Sequence, residues 1–249
     1  MIKEYHILGI KIQSIPEHLI KELLRSFLNS DQQNQIVTVN PEFVVAAQKN
    51  KKFASVINEA SLATIDGTGL VQALQILGYK VSLDDRLTGV KLMEKLLEIA
   101  QHDQLKVLFC LYHHGLTSHH ALAAKLKDKY PKLNFYLADE NNCLTITDVK
   151  QPDIIFSTLG APRQDVWLAE NIHKMPSVKI AVGVGGAVDF LSGAIRRAPK
   201  IFRSLGLEWL WRLFRQPRRL PRIWRAIIIF YALVLKYKWQ NKNYAQSKN

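Results

Sequence analysis

The sequence predicts an α/β protein: a Rossmann-like, largely parallel sheet flanked by helices, with a basic α-helical appendage at the C-terminus. Three observations carry this. Short β-branched runs alternate with longer helical stretches, the pattern of strands joined by crossover helices. The chain has 249 residues, 48% hydrophobic and 22% charged, ordinary globular proportions and enough for one large domain with an extension. The charge is uneven: from Arg196 onward there are fourteen Lys or Arg and one acid, Glu208, whereas residues 1–195 hold twenty of each sign. The whole net charge of +13 therefore sits in the last stretch, with Trp209, Trp211, Trp224 and Trp239. We expect two regions, an α/β domain over 1–195 and a basic appendage over 196–249.

In chain order, IVTVN (36–40) reads as a strand, and the stretch from Pro41 through Ala60 as a helix with Pro41 in its first turn. LATID (62–66) is a second strand, followed by a glycine turn and a helix to about Leu77. Residues 88–102 are helical, with Leu92, Leu96 and Ile99 near one face. KVLFCLY (106–112) reads as a buried strand, and Thr117 or Ser118 caps a helix running to Lys129. NFYLA (134–138), DIIFSTLG (153–160) and KIAVGVG (179–185) are further strands, with a helix over 161–174 between the last two. No repeat or low-complexity segment interrupts the pattern. Cys110 and Cys143 have no CxxC spacing, which fits a reducing cytoplasm. MIKEYHILGIKI has neither a long apolar core nor a small-residue cleavage site, so no signal peptide is expected.

Parallel sheets bind ligands beyond the strand C-terminal ends. Asp66 stands there, ahead of Gly67, and can act as a general base or simply open an Asp-Gly turn. Thr38 and Asn40 stand at another strand end, where Asn40 can equally cap the helix that Pro41 begins. GVGGAVDF (183–190) gives a glycine-rich turn for close backbone approach to a phosphate or ribose, though it is neither GxGxxG nor a Walker loop. LGAPRQ (159–164) is another such turn, with Arg163 and Gln164 facing the cleft or the solvent. HHGLTSHH (113–120) has four histidines, but no nearby carboxylate or cysteine in the sequence completes a ligand set, so no metal is expected. In the appendage, AIIIFYALVL (226–235) is about half a bilayer span and suits an interfacial or docked helix. The arginines at 212, 215, 218, 219, 222 and 225 recur mostly every third residue, interrupted by Pro217 and Pro221.

These turns occur together in one family. TVNPE (38–42), DGTG (66–69), RLTG (86–89), LGAPRQDVW (159–167) and the block from Gly183 to Arg222 resemble the WecG/TagA/CpsF glycosyltransferases, which extend polyprenyl-diphosphate-linked sugars in bacterial envelope synthesis. The resemblance implies that Asp66 matches the proposed catalytic base and that Thr38, Asn40, Arg86 and Gln164 line the pocket. It implies that Gly185, Gly186 and Asp189 lie at the nucleotide-sugar end. It also implies an inverting reaction without metal or other cofactor, and C-terminal arginines, among them Arg215, Arg218 and Arg222, that complete the site at the membrane.

The expected reaction moves a hexosamine-type sugar, N-acetylmannosamine or its uronic acid, from a UDP donor to polyprenyl-diphosphate-linked N-acetylglucosamine. The expected location is the cytoplasm, peripheral at the inner face of the cytoplasmic membrane. Arginine grips diphosphates bidentately, and each cation near an anionic leaflet contributes about 1 kcal/mol of attraction. The sequence departs from the family pattern at Val90-Lys91, where an acid is usual one position after RLTG, and at Asp165 and Val188, where Glu and Phe are commoner. It departs also at His113-His114, where Gly-Gly is common, and in ADENNCL, where a glycine-aromatic turn is usual; these two bear on the donor sugar. A nucleic-acid-binding protein using the arginine-rich tail is the alternative, although it leaves the strand-end polar groups unexplained. The sequence leaves the oligomeric state open.

Overall fold

The computed structural model describes residues 1–199, 202, 210–211, 220 and 224–246. The chain builds one eight-stranded sheet in the order β1-β2-β4-β3-β8-β7-β5-β6. The strands are β1 (Lys3–Ile7), β2 (Ile10–Ser14), β3 (Asn34–Val39), β4 (Leu62–Ile65), β5 (Lys106–Leu111), β6 (Asn134–Asp139), β7 (Ile154–Ser157) and β8 (Ile180–Gly183). Only β1 and β2 pair antiparallel; every other pairing is parallel. The α/β expectation is met.

The described α-helices are α1 (Glu17–Leu28), α2 (Pro41–Lys49), α3 (Lys51–Glu59), α4 (Thr68–Ile76), α5 (Gly89–His102), α6 (His119–Lys129), α7 (Cys143–Lys150), α8 (Arg163–Asn171), α9 (Ala187–Leu191) and α10 (Phe230–Gln246). One face of the sheet is covered by α1, α5, α6 and α9, through Leu24, Leu92, Leu96, Leu122 and Val188 among others. The other face carries α2, α3, α4 and α10 over one half and α7 and α8 over the other. Both faces are therefore dry, as the apolar strands require. From β4 the chain crosses beyond β3, β8 and β7 to reach β5. That reversal opens the cleft at the strand C-terminal ends.

Three details differ from the sequence reading. The β1–β2 hairpin turns on Leu8 (φ 53°) and Gly9 (φ 78°), a turn that carries no Asn-Gly signal. The stretch after Pro41 is two helices: Asn50 caps α3 by accepting from the Phe53 amide at 3.0 Å. ADENNCL is no open turn, for α7 starts at Cys143.

The apolar run of the appendage docks on the domain. Phe230 and Val234 of α10 are fully buried in the cluster that holds Val37, Phe43, Leu70 and Leu74. Tyr231 donates from its hydroxyl to Gln72 Oε1 on α4 at 2.5 Å. The sheet is complete at Gly183, but the core beneath α2 and α4 is closed by α10.

Candidate functional site

Parallel pairing aligns the strand ends. Thr38 lies opposite Thr64, and Val39 opposite Ile65, so Asn40 and Asp66 leave β3 and β4 at one level. Ile36 lies opposite Val182 on the other side, which brings the turn after Gly183 to the same edge. Adjacent strands stand about 4.8 Å apart, so β4, β3 and β8 form a platform about 10 Å across.

Asp66 is held at the left of this edge. Its amide donates to Val39 O at 2.7 Å. The next residue, Gly67, takes φ 97°, a conformation few L side chains adopt, so the glycine is required by the turn. Asp66 Oδ2 accepts from the Gly89 amide at 3.5 Å, at the first turn of α5. A helix N-terminus favours an anion there. Gly89 permits the approach: a Cβ on it would stand 3.3 Å from Thr38 Oγ1 and 3.9 Å from Asp66 Oδ2. Thr38, Asp66 and Gly89 thus form one group. Gly69 is also explained, since a Cβ there would come within 2.8 Å of Pro41 Cγ.

Gln164 and Asp165 hold the other side of the edge, both buried in the first turn of α8. Gln164 Nε2 and Asp165 Oδ1 converge above Gly183; each lies 2.5 Å from where a Gly183 Cβ would stand. Gln164 Oε1 lies beside Gly185, 3.3 Å from the corresponding point, and Gly185 has φ 44°. Among the described residues, neither Asp165 carboxyl oxygen nor Gln164 Oε1 finds a hydrogen-bond partner of good geometry. Burial pushes the Asp165 carboxyl up to about 7, with the nearby Gln164 side chain and its own backbone amide offsetting part of the rise. The folded chain therefore holds this proton more tightly than the unfolded chain, whose carboxyl titrates near 3.8. The associated stability is complete below pH 3.8 and is lost as pH rises through 7, on the order of 4 kcal/mol at 1.4 kcal/mol per unit.

The other expected residues take distinct places. Asn40 caps α2, its Oδ1 accepting from the Phe43 amide at 3.1 Å. Arg86 donates from Nε to Leu83 O at 3.0 Å and lines a cavity of about 370 Å³ with Glu17, Asp84, Thr88 and Lys91. Lys91 pairs there with Glu17, whose carboxyl also meets Lys95 at 2.6 Å. Burial alone would raise the Glu17 carboxyl, but the two lysines outweigh it and hold it below the usual range. Gly186 precedes α9, and Asp189 Oδ1 accepts from Thr117 Oγ1 at 2.8 Å, tying α9 to the loop after β5. Arg215, Arg218 and Arg222 lie outside the described residues.

The sequence reading missed three features of this edge. Asp165, noted in the sequence only as standing where Glu is commoner, is wholly buried. Gly89 reads as the start of a helix, with no hint of its contact to Asp66. The two altered turns meet each other: His113 Nδ1 lies 3.1 Å from Glu140 Oε1, and Arg163 approaches Glu140 Oε2 to 3.1 Å. His119 pairs separately with Asp139 at 3.0 Å. His113 and His119 thus go to different carboxylates, and no cluster of three or more His, Cys, Asp or Glu suited to a metal occurs among the described residues.

A carboxylate, a threonine hydroxyl, a carboxamide and a glycine-rich turn on one strand-end edge suit deprotonation of a hydroxyl beside a bound phosphate ester. Comparison with known proteins places the chain in a family. Residues 5–244 match the family model described as Glycosyl transferase WecG/TagA/CpsF family. The chain is similar to the N-acetylglucosaminyldiphosphoundecaprenol N-acetyl-beta-D-mannosaminyltransferases of Staphylococcus aureus strains MRSA252 and MW2. Each is 33% identical to it over 243 residues, covering 93% of this chain and 92% of the relative.

Proposed function

The chain belongs to the WecG/TagA/CpsF family of glycosyltransferases, and from that premise we propose that it transfers N-acetylmannosamine, or its uronic acid, from a UDP donor to polyprenyl-diphosphate-linked N-acetylglucosamine. The observation that carries this reading is the position of Asp66 at the end of β4, facing Thr38 and the first turn of α5. In the proposed reaction Asp66 removes the proton of the acceptor hydroxyl as its oxygen attacks the anomeric carbon from the face opposite the leaving UDP. One new glycosidic bond forms, the sugar–phosphate bond breaks, and configuration inverts. Gly185, Gly186 and Gln164 face the donor; Arg86 and the tail arginines balance phosphate charge. The test is incubation with UDP-N-acetylmannosamine and a short-chain lipid-diphosphate N-acetylglucosamine in the presence of EDTA. The expected outcome is a disaccharide-lipid product and free UDP. No product with either mannosamine donor, but product with another UDP-sugar, would overturn the donor assignment. Loss with EDTA that Mg²⁺ reverses would overturn the metal-independent account.

We propose further that the protein acts at the inner face of the cytoplasmic membrane, held by its C-terminal region. No helix among the described residues is long and apolar enough to cross a membrane. Instead α10 has two unlike faces. Phe230 and Val234 face the core, while Ile228 just before it, and Leu235 and Trp239 on it, are 48%, 56% and 67% exposed. Positions 228, 235 and 239 share one side at helical spacing. Apolar side chains flanked by cations suit the headgroup boundary of an anionic bilayer. Binding to vesicles of phosphatidylglycerol is expected, weakening as salt screens charges over about 8–10 Å. Binding to duplex DNA but not to these vesicles would return the tail to the nucleic-acid reading.

A further inference from the structure

We propose that Asp165 is a positioning residue that aims the Gln164 carboxamide into the cleft. The inference rests on the reading of Gln164 as part of the transferase site. The geometry begins at Gly183, the last residue of β8. Its missing side chain leaves a space into which Gln164 Nε2 and Asp165 Oδ1 both project, each 2.5 Å from the point a Cβ would occupy. With the amide nitrogen turned down toward Asp165, Gln164 Oε1 is turned toward the Gly185 turn, where it has no partner among the described residues. An acceptor oxygen beside a glycine turn of positive φ suits a hydroxyl or N–H of the donor.

Nothing else on α8 explains the carboxyl. Its backbone carbonyl is taken by Gln35 Nε2 of β3 at 2.8 Å, which fixes the main chain without using the side chain. The charged groups around α8 are engaged elsewhere: Lys52 of α3 pairs with Glu170, and Arg163 reaches Glu140 beyond β6. Across β8 and β7, Gly183 has no side chain, and Ser157, opposite it in register, carries a buried hydroxyl that is itself unpartnered. No charge contributes to holding the Asp165 proton, which burial alone retains. A buried acid without an ion-pair partner works against the fold. A local rule broken at the edge of a site marks a group kept for function.

The test compares Asp165→Ala, Asp165→Asn and Gln164→Ala in the full-length chain, by transfer kinetics and by melting temperature between pH 4 and 8. Asp165→Ala is expected to lower kcat by about 10- to 100-fold, the effect of a mis-set site group. KM for the donor should move less than kcat. Asp165→Asn, which keeps an oxygen toward Gln164 Nε2, restores most of that loss. It also melts higher than the unsubstituted chain at pH 8, with the difference vanishing toward pH 4, where the natural carboxyl is neutral. A purely structural Asp165 would instead lose kcat only in step with melting temperature. Asp165→Ala at full turnover, while Gln164→Ala is impaired, overturns the inference and leaves the transferase site standing. Gln164→Ala at full turnover sinks the assignment of Gln164, and the inference with it.

Discussion

Asp66→Asn is expected to lower sugar transfer by about 10²- to 10⁴-fold, the usual contribution of a positioned general base. The substitution keeps the shape at the end of β4. Asparagine retains an oxygen for the Gly89 amide, now 3.5 Å away, and leaves Gly67 at its positive φ untouched. The turn should therefore survive, and so should the melting temperature. UDP affinity should stay within a few-fold, because the Gly185 turn, the proposed nucleotide end, lies across the platform from Asp66. The measurement is kcat alongside UDP binding by calorimetry. A variant that turns over at a near-normal rate removes Asp66 from the base role. A variant that loses UDP binding as well shows a collapsed cleft rather than a missing base.

The strand-end position of Asp66 was legible because two local signals coincide there: a β-branched strand stops, and an Asp-Gly pair follows. The largely parallel pairing was legible from the alternation of strands and helices, whereas the order of strands was not. The features that escaped depend on distant chain. Leu8 holds a positive φ in the first hairpin because Ile7 and Ile10 are both buried, an arrangement no local pattern reveals. Asn50 breaks a helix whose apolar spacing continues across it. Asp165 is a good first-turn residue by local preference, and only the packing of α8 against β8 turns it inward. His113 and Glu140 are remote in sequence and meet only because β5 and β6 are neighbours.

AIIIFYALVL is apolar on every side, so periodicity could not assign its buried face; contact with α2 and α4 selects Phe230 and Val234. That selection governs how the arginine tail must be tested. A chain cut near Arg196 keeps all eight strands, yet it loses two fully buried side chains from the core under α2 and α4. Removing even one buried Phe costs about 3–5 kcal/mol in comparable cores, so lost activity in the cut chain would report instability. Replacement of Arg215, Arg218 and Arg222 by Gln in the full-length chain avoids this, because α10 stays in place. In the metal-independent transfer proposed above, cations stabilise the charge that develops on the departing UDP, and arginine does so bidentately. Loss of one preorganised donor to a developing charge typically costs about 10²- to 10³-fold in kcat. The triple variant is therefore expected to lose at least that much on a short-chain, water-soluble acceptor, for which membrane docking is irrelevant. Its melting temperature and the Tyr231–Gln72 contact of α10 should be unchanged. Vesicle binding should weaken but persist, since Ile228, Leu235 and Trp239 remain exposed beside Lys236 and Lys238. Full turnover of the soluble acceptor by the triple variant would make the tail an anchor alone and move leaving-group stabilisation to the domain, where the α5 N-terminus meets Asp66 and Arg86 lines a cavity with Thr88, the residue before Gly89.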